Sequence, residues 1–501
     1  MYEDIFNYIK QQYYNNSLYG LNSIYGCYLS EDFRNYIELW ESWYHGYNQD
    51  FHRYYYYNGY SRIAQDMKCL NMAKKVCEDK ASLLLNEKVS INLDNDNDSD
   101  TLMEVFKDNE FYVRANELIE LSNAMGTGAF VEFIEDDKIN IDYITARNII
   151  PITVINGEII NCAFVSVVRF KDDLTYYLNT HIKLEPLEPD NKEGIRKRQE
   201  QGIPANYEGY IIENRILKHE QRGLTDKSQF ADMDDFVLTD TDIPFFQIIK
   251  PNIANNVCVT ERSNGMGISA FANAISVLES VDTCYDNLDN EVRAGRKRLI
   301  VHDNLAQISI KTSGDNLFKP MFDQNDTTFF AANLEDSSGN LKDPIRAIDS
   351  ALRINELEKA LDTQLRTLSM RCGLGNNFYK FSGGQVKTAT EIISDNNPLY
   401  KNVKKDEILL EKVLINLTKV ILYLSNLNID QEISINFDDS IFEDTNQTRQ
   451  NKLLEYNSGL IDKVQYFVDV YKMTADQAMK MVQDMEERMI EEEDSDDLVT
   501  G

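Results

Sequence analysis

Eight apolar side chains, Ile268, Phe271, Ile275, Leu278, Val281, Tyr285, Leu288 and Val292, follow one another at intervals of three or four without a miss. That stepping predicts one amphipathic helix of about 28 residues beginning near 266, roughly 42 Å long at 1.5 Å per residue. A stripe of this length needs an equally long partner, because an isolated helix has nothing to bury it against. A second series supplies one: Ile348, Leu352, Ile354, Leu357, Leu361, Leu365 and Leu368. Between the two lie about 45 residues of mixed strand and loop, punctuated by Gly314, Pro320, Gly339 and Pro344. The order describes an excursion: out along one helix, through a small module, and back along the other. CGLGNNFYKFSGGQVK (372–387), with four glycines, then interrupts the pattern. A third helical stretch, 388–426, follows, and Pro398 within it predicts a kink.

The chain before 264 has a different character. Residues 61–87 have helical periodicity, DNDNDSD (94–100) reads as a solvated turn, and 102–125 returns to helix. From 126 to 250, β-branched and aromatic runs alternate with turns such as Asn156-Gly157, the pattern of antiparallel strands. NKEGIRKRQEQG (191–202) is a loop or short helix. The first 60 residues hold 15 of the 28 tyrosines and both tryptophans, Trp40 and Trp43, which suits either a partner surface or a local aromatic core. After 430 come a short strand, EISINFDD, helical pieces at 445–457 and 462–471, a further helix capped by Thr474, and an acidic tail.

Charge and chemistry exclude several classes. Fifty-one basic and 83 acidic side chains leave a net charge of −32. A surface this acidic does not hold nucleic acid tightly, because Lys and Arg contacts to phosphate supply most of that affinity. It does suit a wall past which a polyanion slides. Seven scattered cysteines without a C-x-x-C pair fit free thiols in a reducing compartment. MYEDIFNYIK lacks the basic start of a signal peptide, and VLINLTKVILYLSNL (413–427) carries Lys419 and is too short to span a bilayer, so no membrane partner is expected. The five histidines fall in no metal-ligand spacing with one another, with Cys or with Asp, and DNDNDSD fails as a calcium loop because Ser99 and Val105 stand where Gly and Glu are required. There is no P-loop and no G-x-S-x-G elbow. The sequence therefore predicts no catalytic residue, no metal and no cofactor.

One fingerprint opposes that reading. NGMGISAFANAIS (264–276) contains Gly265, Gly267 and Ala270 in the dinucleotide-binding spacing G-x-G-x-x-A. Such a site needs a strand, a tight turn, a crossover helix of ordinary length and a second parallel strand bearing an acidic residue. Here the helix is twice the usual length, and Asp282, Asp286 and Asp289 lie on it rather than on a following strand. A nucleotide-dependent enzyme built on this turn remains the rival from another functional class.

WESWYHGYNQDFHRYYYYNG (40–59), LNMAKKVCEDKASLLLNEKVSI (70–91), NAMGTGAFVEF (123–133), 267–301, TATEIISDNN (388–397) and 435–463 stand in a characteristic order over nearly the whole length. Through these blocks the chain resembles the portal proteins of tailed bacteriophages, in the branch common among phages of Gram-positive bacteria. The resemblance implies an α+β portal-protein fold: a mixed α/β wing (1–263), stem helix 1 (264–299), a small α/β clip (300–344) and stem helix 2 (345–373). A tunnel loop and long kinked wing helix (374–430), a helical crown (431–485) and an acidic tail (486–501) complete it. It further implies a homo-oligomeric ring, typically of twelve subunits, at one capsid vertex of the virion, assembled in the host cytoplasm. Its partners would be double-stranded DNA bound weakly and without sequence preference, the large terminase, the major capsid and scaffolding proteins, and a head-completion adaptor. Candidate tunnel-loop contacts to DNA are Asn376, Asn377, Tyr379, Lys380 and Lys387, which fit equally a role in shaping the loop. Arg293, Arg296, Lys297 and Arg298 form a basic cluster at the stem–clip junction, and a cation-rich helix end is its simpler explanation. A virion component that does not form the channel is the remaining alternative.

Overall fold

The structure, a computed structural model, describes residues 31–57, 62–86, 89–170, 173–200, 202–220, 223–226, 236–257, 263–294, 298–302, 307–309, 318–320, 329–332, 345–348, 351–380, 389–437, 445–471 and most of 473–485. The expectations for residues 1–30, most of the 300–344 module, Thr474 and the acidic tail lie outside the described residues.

The N-terminal part is a helical layer. Helix Glu31–Tyr44 buries Phe33, Ile37, Trp40 and Trp43, so both tryptophans belong to the core. Tyr36 stacks on Trp40, and Phe33 meets the same indole edge-on. The helical reading of 61–87 is half right. Arg62–Asp66 is a strand paired antiparallel with Arg53–Tyr57, and the helix runs only over Met72–Leu84. The tyrosine-rich strand supplies a ladder partner that local periodicity cannot reveal. Asn71, in the left-handed region at φ 55°, separates the two elements.

The acidic run is also reassigned. Asn95 caps a helix over Asp96–Asp108, its side chain accepting from the Asn97 amide at 3.1 Å. Asp98, in the first turn, therefore stands near the positive end of the helix dipole, where a carboxylate is favourable. Glu110, at φ 49°, breaks the chain before helix Phe111–Met125.

Two antiparallel sheets follow. Gly128–Glu135 pairs with Lys138–Thr145 and with Phe246–Ile249. A meander of Ile149–Ile155, Glu158–Phe170, Asp173–Leu184, Gly209–Glu220 and Gly223–Asp226 forms the larger sheet, with Phe236–Thr239 added to Gly209–Glu220. The basic piece between them is a helix, Lys192–Glu200. The chain is thus mixed α and β, with helices and sheets largely segregated along the sequence, an α+β arrangement.

The first long helix is shorter than its stripe. It spans Ile275–Ala294, preceded by single turns at Ser263–Gly265 and Ala272–Ala274. Ile268 and Phe271 continue the spacing yet lie outside the helix, both fully buried. The strand Arg298–His302 begins before the expected end at 299. The return helix is Ile354–Arg371, with Ile348 in a strand and Leu352 in the connection. Among the described residues between the two helices there are only strands. Arg298–His302 lies between Phe329–Ala332, parallel to it, and Ile345–Ile348, antiparallel. Gln307–Ser309 pairs with Phe318–Pro320.

Helix Ala389–Leu424 contains Pro398 and crosses the body, burying Leu410, Leu414, Leu417 and Ile421. Strand Ile433–Asn436 then pairs with Ser90–Leu93. A boundary at 431 therefore cuts through a sheet; the strand is joined to the N-terminal part before helices Thr445–Asn457 and Lys463–Tyr471 begin.

Candidate functional site: the helical hairpin and its glycine-rich flanks

Helices Ile275–Ala294 and Ile354–Arg371 run antiparallel. At the far end Arg353 closes the pair: its amide and guanidinium both donate to Glu291, with Nη2 2.8 Å from Oε2. At the near end the second helix reaches the Ala272–Ala274 turn. Burial falls from one end to the other. Val277, Leu278, Val281, Leu361, Leu365 and Leu368 are buried, Tyr285, Leu288, Ile354 and Leu357 half-buried, and Val292 and Leu352 exposed.

The near end is fixed by carboxylates. Asp282 accepts from the Leu70 amide at 2.8 Å and from the Cys69 thiol at 3.2 Å, and its Oδ2 lies 3.1 Å from His52 Nε2. One turn on, Asp286 accepts from the Lys68 amide at 2.9 Å and from Asn290. His52 is fully buried beside Trp43 and Phe51, with Nδ1 facing the Asn48 backbone. Burial, followed by the Asp282 charge, pushes the Cys69 thiol up to about 12. Sequence spacing gave no signal for this cluster, since 17 and 213 residues separate its members and only tertiary folding unites them. The sequence places Asp282 and Asp286 on the long helix, and their i, i+4 spacing on one face is its only trace of the cluster.

The Gly265–Gly267 fingerprint is a packing device. An added Cβ at Gly267 would stand 2.2 Å from the Gly126 carbonyl oxygen, and one at Gly265 would stand 2.6 Å from Ile159. Neither glycine has positive φ, so close approach rather than a sharp turn demands them. The amides a phosphate would need are already used: Gly267 N–H on Thr127 Oγ1, Ala270 N–H on Asn123 O, and Phe271 N–H on Ser269 Oγ. The neighbouring cleft, about 340 Å³, has Gly265, Lys250, Gln247 and Asn416 in its wall. Lys250 Nζ donates to the Gly157 and Gly265 carbonyls at 3.0 Å each, and burial lowers its pKa. This geometry does not support a nucleotide site.

The loop after the return helix is pinned where it starts. Gly373 and Gly375 take φ of 78° and 83°, and the Leu374 amide returns to Ser369 O at 2.8 Å, a C-terminal cap that only a left-handed residue completes. Asn402 holds the Gly373 carbonyl from the Ala389–Leu424 helix. Tyr379 must be corrected as a polymer contact. It is buried, its amide donates to Ser369 Oγ and its hydroxyl donates to Asp79 at 2.8 Å. Burial and the Asp79 carboxylate both raise its pKa, so it stays a neutral donor. Asn376 and Lys380 are exposed and Asn377 is half-buried; Lys387 lies outside the described residues.

Of the basic cluster, Arg293 pairs with Asp289 at 2.8 Å on its own helix, a local i, i+4 contact. Arg298 sits in the strand opposite Ile348, and Arg296 and Lys297 lie outside the described residues. Among the described residues no helix is long and apolar enough to cross a membrane.

No curated protein matches the chain. A family model does, described as phage portal protein, SPP1 Gp6-like, and it covers residues 29–495. With all but the first 28 and last 6 positions inside that match, the chain belongs to the SPP1 Gp6-like phage portal proteins.

Proposed function

We propose that this chain assembles into a closed ring of about twelve copies at one capsid vertex and that the ring is the conduit for double-stranded DNA, inward during packaging and outward at ejection. The observation that carries the reading is the hairpin of Ile275–Ala294 and Ile354–Arg371, whose apolar stripe outruns what its own chain covers. Exposed Val292 and Leu352 beside half-buried Tyr285, Leu288 and Leu357 fit a second copy of the same hairpin. Repeated around a ring, that contact makes a heterologous interface that closes.

In this assignment the two helices are the stem, the strands between them the clip that receives the terminase motor and later the head-completion adaptor, and the 372–387 loop the part nearest the DNA. Helices after 445 would form the crown. The subunit charge of −32 keeps a passing polyanion from sticking, and exposed Lys380 offers a transient phosphate contact. The ring itself supplies no catalysis; the motor hydrolyses nucleotide.

Negative-stain microscopy of the purified chain tests the assembly, with rings around an open centre expected. A monomer, or a ring without a bore, counts against the conduit. Lys380→Glu tests the loop separately: slower packaging from intact rings is expected, and normal packaging would remove Lys380 from the path of the DNA.

A further inference from the structure

We propose that His52, Cys69 and Asp282 form a zinc-binding site that staples the base of the hairpin to two N-terminal segments. Nε2, Sγ and a carboxylate oxygen of these residues all lie within 4.8 Å of one another. Both Nε2 and Sγ are 3.1–3.2 Å from the same Asp282 oxygen. A tetrahedral zinc ion, with ligand bonds of about 2.0–2.3 Å, requires ligand atoms roughly 3.3–3.7 Å apart. Lengthening the two contacts to Asp282 Oδ2 by a few tenths of an ångström makes room for it. Imidazole, thiolate and carboxylate together select zinc over calcium or magnesium, which take oxygen ligands.

The surroundings of the three residues are those of a prepared site. A ligating histidine fixes its ring by a hydrogen bond from the other nitrogen. His52 Nδ1 accepts from the Asn48 amide at 2.8 Å and lies 3.1 Å from the Asn48 carbonyl, so binding a metal at Nε2 exchanges the first contact for a bond donated to the second. Asp282 Oδ1 is held by the Leu70 amide, which leaves Oδ2 to bind. The Asn71 amide donates to Cys69 Sγ at 3.1 Å, a bond that stabilises a thiolate. Each ligand thus has its own backbone partner besides the ion. His52 and Asp282 are buried and Cys69 is half-buried, so the ion enters from the Cys69 side and a water completes the fourth position.

The charge balances. Zinc enters, the Cys69 proton leaves to solvent, and the imidazole binds through Nε2 with its proton on Nδ1. Thiolate and carboxylate then offset the two positive charges in a buried place. Because the thiolate is the ligand, uptake releases one proton and tightens as pH rises.

The test uses the untagged full chain, stripped with a chelator and titrated with zinc or cobalt(II). One equivalent per chain is expected, with a thiolate-to-cobalt charge-transfer band. Cys69→Ser keeps a hydrogen-bond donor for Asp282 yet abolishes that band and weakens zinc binding at least tenfold. If that variant does not fold, alkylation of the wild-type protein decides: zinc should protect the Cys69 peptide and leave the Cys284 peptide unchanged. The proposal is overturned by binding well below one equivalent, by a cobalt band that persists in Cys69→Ser, or by Cys69 alkylation that zinc does not slow.

Discussion

Replacing Gly267 with alanine separates packing from phosphate binding at the glycine fingerprint. The new Cβ would stand 2.2 Å from the Gly126 carbonyl oxygen and 2.7 Å from Lys250 Cβ. Ordinary carbon–oxygen contacts sit at roughly 3.3 Å, so one backbone must retreat by about 1 Å. Gly126 cannot swing aside freely, because it ends helix Phe111–Met125 at φ 86° with its amide bound to Ser122 O. Overpacking of this kind costs about 1–3 kcal/mol, and loss of the Gly267 bond to Thr127 adds about 0.5–1.5 kcal/mol, giving roughly 2–4 kcal/mol. Gly202→Ala is the control: its φ is 75° but nothing lies within 4 Å, so only the left-handed backbone cost of about 1–2 kcal/mol applies. Urea unfolding followed by fluorescence compares the two. A Gly267→Ala cost no larger than that of Gly202→Ala refutes the packing account. A rise in wild-type melting temperature with ATP or NAD that Gly267→Ala abolishes would restore the nucleotide reading.

Leu365→Ala, at a buried position of the return helix, is expected to lower unfolding free energy by about 2–5 kcal/mol, read from the shift of the denaturation midpoint. Tyr379→Phe leaves Asp79 without its phenol donor and is expected to cost about 1 kcal/mol with packaging unchanged, the opposite profile to Lys380→Glu. Glu132 is buried, among the described residues no other residue pairs with its carboxyl oxygens, and burial, only partly offset by its own backbone amide, raises its pKa well above the usual range. The folded chain holds a proton that the unfolded chain releases above about pH 4.3, so this group's contribution to stability falls as pH rises from there toward its folded pKa. Glu132→Gln removes that penalty, and its melting temperature should exceed wild type by more at pH 8 than at pH 4; an equal difference at both would refute the linkage.

What was legible in the sequence was local or periodic. The stepping from Ile275 to Val292 and from Ile354 to Leu368 marked the two helices because each side chain faces one packed side. Asn156-Gly157, both with positive φ, marked a hairpin turn for the same local reason. Ile268 and Phe271 misled because burial against the Phe111–Met125 end imitates helical spacing without a helix. Long-range pairing was invisible: nothing near Arg62–Asp66 announces its partner strand, and nothing near Ile433–Asn436 announces Ser90–Leu93. The candidate site followed the same division. Lys380 was readable as an exposed loop cation, whereas the burial of Tyr379 depends on Asp79, 300 residues away, and the His52–Cys69–Asp282 cluster depends on three separate segments.

The two ends of the hairpin differ in a way that bears on assembly. At the base, buried carboxylates hold backbone amides of the 68–70 segment, and each bond to a charged acceptor is worth about 1.5–3 kcal/mol. At the far end the Glu291–Arg353 pair is solvent-exposed, and such pairs add little. A subunit acting alone would gain nothing from an apolar stripe where its own chain stops covering it. Instead exposed Val292 and Leu352 keep it going past that point. An uncovered stripe lowers solubility unless a neighbour buries it, so its persistence fits a hairpin whose far half gains its packing only on assembly. The base would then be set within each subunit, and the far half would be firm only in the ring.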